Sequence, residues 1–293
     1  MTKTKAWVLA ARPKTLSASA VPIIATTGMV YGFNHSIEWW IVYFALFSSF
    51  CIQIGTNFVN DAMDFKKGAD TEKRIGPIRV TQQGLFTFKQ VMLMATVFFL
   101  VAIALGIPLV IKGGWPIVII GLVSVLMGYG YTSGPFPLAY RGLGDLFVIL
   151  FFGLVAVGGL YYLLTGLWDL NALVLGLQIG LLSTILIAIN NLRDIETDKS
   201  VNKKTLAVRL GKTGGRIWIG FLCVAPFLTG YYWLYQKLWW VYVIPLLSFP
   251  LGLFIAKRIF RTEPSTLYNK YLAMSSVFGL IFSILIAIGF QIK

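Results

Sequence analysis

Apolar residues run along this chain in stretches of roughly 20, with few charges inside them and polar interruptions between. That length crosses the ~30 Å hydrocarbon core of a bilayer as an α-helix. Nine such stretches fall at roughly 15–33, 38–60, 89–111, 114–132, 143–165, 171–191, 216–235, 238–256 and 270–290. The short alternating segments of an outer-membrane barrel are missing. The pattern therefore predicts an all-α, polytopic membrane protein of nine transmembrane helices. No long linker or low-complexity tract interrupts it, so residues 1–293 read as a single membrane-embedded domain.

The two longest connections, 61–88 and 192–215, resemble each other. Each opens on an Asn/Asp cluster and continues through Lys, Arg, Thr and Gly, as in Lys73-Arg74-Ile-Gly76-Pro77-Ile-Arg79 and Lys203-Lys204-Thr205-Leu-Ala-Val-Arg209. Internal repeats of this kind are common in membrane proteins. The spacing predicts two pseudo-repeated halves around a central apolar chamber, with their functional ends facing each other.

Composition agrees: 57% of residues are hydrophobic and 12% charged, with a mean hydropathy of +0.78, more apolar surface than a soluble domain can hide. The net charge of +14 would suggest nucleic acid if it were spread evenly. Instead, 22 of the 25 Lys and Arg fall in the N-terminal tail or after every second stretch, leaving Lys112, Lys237 and Lys293 on the other side. This is the positive-inside bias, and it places the N-terminus in the cytosol and the chain in the cytoplasmic (inner) membrane. The excess charge reads as a topology determinant beside anionic lipid, with no nucleic-acid partner. Cys51 and Cys223 lie within apolar stretches and read as core residues. The one histidine, His35, falls in the outer connection after the first stretch, so no His-dependent chemistry is expected.

The acids are what change the picture. Seven of eleven sit in the two clusters, Asp61, Asp64, Asp70 and Glu72 in one, Asp194, Glu196 and Asp198 in the other. Carboxylates near a bilayer are costly and usually mark a site. A helix C-terminus is also the unfavourable end for an anion, so something cationic is expected between the clusters. Asn57, Asn60, Asp61 and Asp64 are spaced i, i+3, i+4 and i+7, and Asn190, Asn191, Asp194 and Asp198 are spaced i, i+1, i+4 and i+8. On helices each set shares one face. Two opposed faces of oxygen ligands could hold two Mg²⁺ ions through Asp61, Asp64, Asp194 and Asp198, with positions left for phosphate oxygens. Lys73, Arg74, Arg79, Lys203, Lys204 and Arg209 would take the remaining anionic oxygens, together with Asn57, Asn60 and Asn190. A third connection, Tyr129 to Asp145, adds Tyr131, Tyr140 and Arg141, where a tyrosine can hydrogen-bond a leaving phosphate or stack on a cation. Small residues at Gly153, Ala156 and Gly158-Gly159 permit close helix approach. A long hydrocarbon with a diphosphate head would suit such a molecule.

On these motifs the chain resembles the UbiA superfamily of intramembrane aromatic prenyltransferases, most closely the 1,4-dihydroxy-2-naphthoate branch. The resemblance covers most of the chain in order. It rests on Ala11-Arg12-Pro13-Lys14-Thr15-Leu16, Asn60-Asp61-x-x-Asp64, Gly76-Pro77-x-Arg79-Val80-Thr81, Gly134-Pro135-x-Pro137-Leu138-Ala139-Tyr140, Asn190-Asn191-Leu192-Arg193-Asp194 and Thr205-Leu206-Ala207-Val208-Arg209. Two positions depart from it: Gly68 stands where related motifs often carry a third Asp, and Asn202 where Gly is expected. The resemblance implies transfer of a polyprenyl group from polyprenyl diphosphate to 1,4-dihydroxy-2-naphthoate, with loss of diphosphate and carbon dioxide, in menaquinone biosynthesis. It implies Asp61, Asp64, Asp194, Asp198, Arg79 and Tyr140 as catalytic residues at the cytosolic face. A 4-hydroxybenzoate or homogentisate acceptor is the nearer alternative. A transporter of an anionic lipid or metabolite is the more distant one, because transporters usually place their polar residues at the bilayer midplane.

Overall fold

The computed structural model describes residues 2–70, 75–77 and 79–292. Among them it is helical throughout, with no strand. A short first helix, α1 (Lys3–Ala11), is capped by the Thr2 hydroxyl and ends at Arg12, whose backbone is left-handed at φ 53°. The helices α2 (Ser17–Gly32), α3 (Trp39–Lys66), α4 (Phe88–Gly113) and α5 (Trp115–Gly130) follow. Next come α6 (Gly144–Thr165), α7 (Leu170–Arg193), the short α8 (Ile195–Ser200), α9 (Leu206–Tyr235), α10 (Trp239–Arg261) and α11 (Tyr268–Gly289).

All nine apolar stretches are helical, and among the described residues seven of the helices are both at least 18 residues long and apolar enough to cross a bilayer. The exceptions, α2 and α5, have 16 residues each. At 1.5 Å per residue such a helix reaches only about 24 Å, short of the hydrocarbon thickness. The ends also shift. Helix α3 runs on to Lys66 and α9 starts at Leu206, so residues expected in connections lie on helices.

Helix α7 is the axis of the bundle. Leu175, Ile179, Leu182, Ile185, Ile189 and Leu192 recur at helical spacing and are all buried. It packs against α6, α9 and α11, while α3, α4 and α5 pack together and α2 bridges the two groups. The lipid-facing side is apolar: Leu93, Leu100 and Ile111 on α4 and Ile119, Leu122 and Leu126 on α5 are all exposed. A second apolar cluster lies beneath the cytosolic-looking end of α3, where Trp7 of α1 stacks on Phe86 at 4.0 Å and meets Phe58 edge-on.

Without a hydrophobic drive between helices in lipid, close packing is what holds a pair together. At the α6–α7 contact it depends on Gly153, Gly176 and Gly180. A Cβ built on Gly153 would lie 2.7 Å from the Gly180 Cα, and one on Gly180 would lie 2.6 Å from the Ile149 carbonyl oxygen. Here α6 widens into a π-helical segment, Ile149–Val155, whose Phe151, Phe152 and Val155 line the interior. Such segments often mark functional places. Gly158, by contrast, has its nearest neighbour, the Trp168 ring, at 3.6 Å. Gly153→Ala should therefore lower stability by about 1–3 kcal/mol through overpacking, while Gly158→Ala stays near wild type. Thermal unfolding of the two purified variants checks this, and equal midpoints would remove the close-contact account.

A candidate active site between two acidic helix ends

The last two turns of α3 carry Asn57, Asn60, Asp61 and Asp64, all buried. The helix stops because Gly68 adopts φ 73°, allowing the amides of Lys67, Gly68 and Ala69 to close on the carbonyls of Met63, Phe65 and Asp64. This explains the first departure noted in the sequence: an Asp at position 68 would sit in a conformation that favours glycine. The chain then returns over the helix. Asp61 accepts hydrogen bonds from the backbone N–H of Val80 (3.1 Å) and Thr81 (3.0 Å), one on each carboxylate oxygen. Beside it, Arg79 places Nη2 3.4 Å from Asp64 and Nε 3.2 Å from Asp70. The Asn57 amide donates to the Ala11 carbonyl (2.9 Å) and the Thr15 hydroxyl (3.3 Å), fixing the turn that presents Arg12.

In the other half, α7 ends at Asp194, whose φ/ψ of −94°/12° breaks the helix before α8. The bend keeps the predicted face, because the Asp198 amide still bonds the Asp194 carbonyl at 2.8 Å. Arg193, fully buried, grips both oxygens of Asp194 (2.8 and 2.6 Å), donates to Asn190 Oδ1 (2.8 Å) and reaches Asn269 of α11 at 2.6 Å. Arginine's planar fork suits this bidentate grip.

The halves meet at Lys203 and Tyr140. The Lys203 ammonium lies 3.4 Å from Asp64 and 3.6 Å from Asp198. Tyr140 donates its hydroxyl to Asp64 (2.9 Å), and its ring faces the Lys67 and Lys203 ammoniums at 4.1 and 5.3 Å. Burial alone would lower the Lys203 pKa, but Asp64, Asp198, Asp194 and Asp70 outweigh it and raise it above the ordinary lysine value. Burial and the neighbouring Asp64 raise Tyr140, so its phenol stays protonated.

These groups border a cavity of about 160 Å³, whose wall includes Asn57, Asn60, Asp64, Arg79, Tyr131, Asn190, Asp194 and Lys203. It shares Gln53, Thr56, Tyr131, Val148 and Phe152 with a second cavity of about 250 Å³ that is lined mainly by apolar side chains of α2 to α6. The arrangement is a charged head site opening into an apolar chamber.

The residues expected at the site divide between this wall and its surroundings. Asp61 is not among the residues lining the cavity, and each of its oxygens accepts one backbone N–H, which leaves a lone pair on each. Asn57 likewise holds the Arg12 turn through its amide. Lys204, Arg209 and Arg141 are exposed and do not line the cavity. Arg209 donates to the carbonyls of Lys204 and Arg141, and the Arg141 guanidinium lies over the Phe136 ring at 3.8 Å. Lys73 and Arg74 lie outside the described residues. Two arginines went unassigned. Arg12 lines the cavity from an unusual left-handed backbone position, for which Arg before Pro at the start of an apolar stretch was the available signal. Arg193 had its signal in standing between Leu192 and Asp194, where a solvating role is hard to sustain.

The donor set fits Mg²⁺. Asp64, Asp194, Asp198, Asn60 and Asn190 offer oxygen alone, the choice of a hard cation. Among the described residues no three acids converge tightly enough to hold a metal unaided. That too suits Mg²⁺, which commonly takes one or two carboxylates and completes its shell with phosphate and water.

Comparison with known proteins agrees with this geometry. A family model described as the UbiA prenyltransferase family matches residues 21–284. The chain is 33% identical to the 1,4-dihydroxy-2-naphthoate octaprenyltransferase of Haemophilus influenzae, covering 99% of this chain and 97% of that one. It is 31% identical to the enzyme of the same name from Bacillus subtilis, covering 96% and 91%. In fold it is similar to a UbiA homologue from Aeropyrum pernix (TM-score 0.71, 12% identity, 93% and 97% covered). It is also similar to one from Archaeoglobus fulgidus bound to GPP and Mg²⁺ (TM-score 0.69, 16% identity, 99% and 98% covered).

Proposed function

The chain belongs to the UbiA prenyltransferase family, and on that premise we propose that it transfers a polyprenyl group from polyprenyl diphosphate to 1,4-dihydroxy-2-naphthoate in menaquinone biosynthesis. Diphosphate and carbon dioxide leave, giving the demethylmenaquinone skeleton. The observation that carries this reading is the shared wall between the acidic head site and the apolar chamber. One side suits a diphosphate and the other its hydrocarbon tail. The acceptor is inferred from the relatives' names.

Asp64 with Asn60, and Asp194 and Asp198 with Asn190, are the groups that would hold Mg²⁺, in two ions, one for each half. When bound, Mg²⁺ supplies charge neutralisation of the diphosphate as its C–O bond breaks and the electron pair leaves with it. Arg79 and Lys203 add positive charge beside the same oxygens, and Arg12 faces them from the α1–α2 turn. The Tyr140 phenol, protonated and anchored on Asp64, stands ready as a donor. Asp61 acts one step back, holding the Arg79 loop in place through its two backbone contacts. The apolar chamber keeps water from the allylic carbon until the electron-rich naphthol ring attacks it. The lysine and arginine bias supports a cytosolic N-terminus with the site at the cytosolic face, where a soluble naphthoate arrives from water and the prenyl chain from lipid.

Purified protein offered a polyprenyl diphosphate with 1,4-dihydroxy-2-naphthoate, 4-hydroxybenzoate or homogentisate should prenylate the naphthoate alone, read by mass spectrometry. Chelation should abolish turnover, and added Mg²⁺ should restore it without any membrane gradient. Prenylated 4-hydroxybenzoate as the main product would overturn the acceptor, and full turnover after exhaustive chelation would overturn the metal site.

A further inference from the structure

Among the described residues, Asp64, Asp70, Asp194 and Asp198 around the head site each have a cationic partner drawn from the protein itself. Arg193 holds Asp194, Arg79 holds Asp64 and Asp70, and Lys203 spans the two halves, between Asp64 and Asp198. Arg193 is locked by its fork on Asp194 and by bonds to Asn190 and Asn269. Lys203 is held differently. Its ammonium contacts are long, 3.4 and 3.6 Å, and its side chain is 13% exposed. Its backbone, in contrast, is fixed: the Lys203 amide bonds the Asp198 carbonyl at 2.9 Å, the Lys204 amide bonds the Tyr140 carbonyl at 3.2 Å, and Asn202 makes the turn at φ 56°. The peptide is anchored while a flexible four-carbon stem carries a charge that can turn within the cavity.

We propose that Lys203 is the resident counter-cation of the acidic pair, occupying the place between Asp64 and Asp198 in the substrate-free protein and yielding it to a divalent ion when a diphosphate arrives to accept its ammonium. The inference rests on the reading of this cavity as a divalent-metal site. Two carboxylates facing each other across a buried site repel unless a cation lies between them. An ammonium within 4 Å of both serves that need and competes with the metal. Once diphosphate enters, Lys203 gains an anionic partner at no loss of charge compensation. Metal and diphosphate should then bind with positive coupling, each raising the affinity of the other by the same factor.

The test measures Mn²⁺ binding by the electron paramagnetic resonance signal of free Mn²⁺, on purified full-length protein, with and without inorganic pyrophosphate. Wild type should bind Mn²⁺ weakly alone. Lys203→Met should bind it at least about tenfold more tightly without pyrophosphate, because a competing unit charge has been removed from a low-dielectric site. The enhancement by pyrophosphate should shrink in the same variant. Lys203→Gln, which keeps a donor without the charge, carries the same expectation should the methionine variant fold poorly. Lys203→Arg, retaining the charge, should bind as wild type does. Equal or weaker Mn²⁺ affinity in both neutral variants overturns the proposal and leaves the metal site standing. Absence of saturable Mn²⁺ binding in every protein, with or without pyrophosphate, overturns the site reading beneath it as well.

Discussion

Replacing Asp64 by Asn should lower turnover by about 10²–10³-fold, the range found when one preorganised electrostatic contact to developing charge is removed. The expectation is specific to this acid. Asp64 meets three partners from different parts of the chain: Arg79 from the first connection, Tyr140 from the segment after α5, and Lys203 from the second half. The amide keeps the shape and can still accept from Tyr140, so the bundle should fold. What it loses is the negative charge that draws a cation into the cavity. Asp61→Asn should also reduce turnover, but by another route, since one of the two side-chain oxygens that accept backbone N–H groups is replaced by a donor facing an N–H. Limited proteolysis separates the two: the Arg79 loop should become more susceptible in Asp61→Asn and remain protected in Asp64→Asn. Near-wild-type activity in Asp64→Asn would remove this residue from the metal site.

Arg193→Met should be the most destabilising change at the site, by about 3–5 kcal/mol, because it removes the buried bidentate partner of Asp194. Both side chains are almost wholly inside the protein, at 1% and 6% exposure, so solvent screening gives little relief. The loss reaches further than one ion pair. The same guanidinium ties the end of α7 to Asn269, whose amide lies 3.5 Å from the Ile75 carbonyl, and thereby links α11 and the first connection to the second cluster. Combining Arg193→Met with Asp194→Asn removes both charges and should recover much of the thermal stability while turnover stays low. A single variant that melts with wild type would show that Arg193 does not hold this end of the bundle together.

The sequence by itself determined the class of molecule and the chemistry of its site. Apolar stretches of membrane length can satisfy their backbone groups in lipid only as helices, and the long apolar runs made that legible. The two aspartate faces were legible for a related reason: helical periodicity converts spacing into direction, so Asp64, Asp194 and Asp198 could be placed from their intervals alone. Periodicity describes one helix at a time, however, and cannot say what arrives from elsewhere. Asp61 shares a face with Asp64 in sequence, yet the returning chain brings the Val80 and Thr81 amides onto it and leaves Asp64 for the cavity. Arg209 and Lys203 look alike in a basic connection, but the turn at Asn202 sends one to surface carbonyls and the other between two carboxylates. Where each helix ends was also decided in three dimensions, since α3 runs on to Lys66 and α9 starts at Leu206. These outcomes depend on contacts between residues as much as 139 positions apart, such as Lys203 and Asp64. A local pattern carries no record of them, and only the packed bundle decides which charges meet.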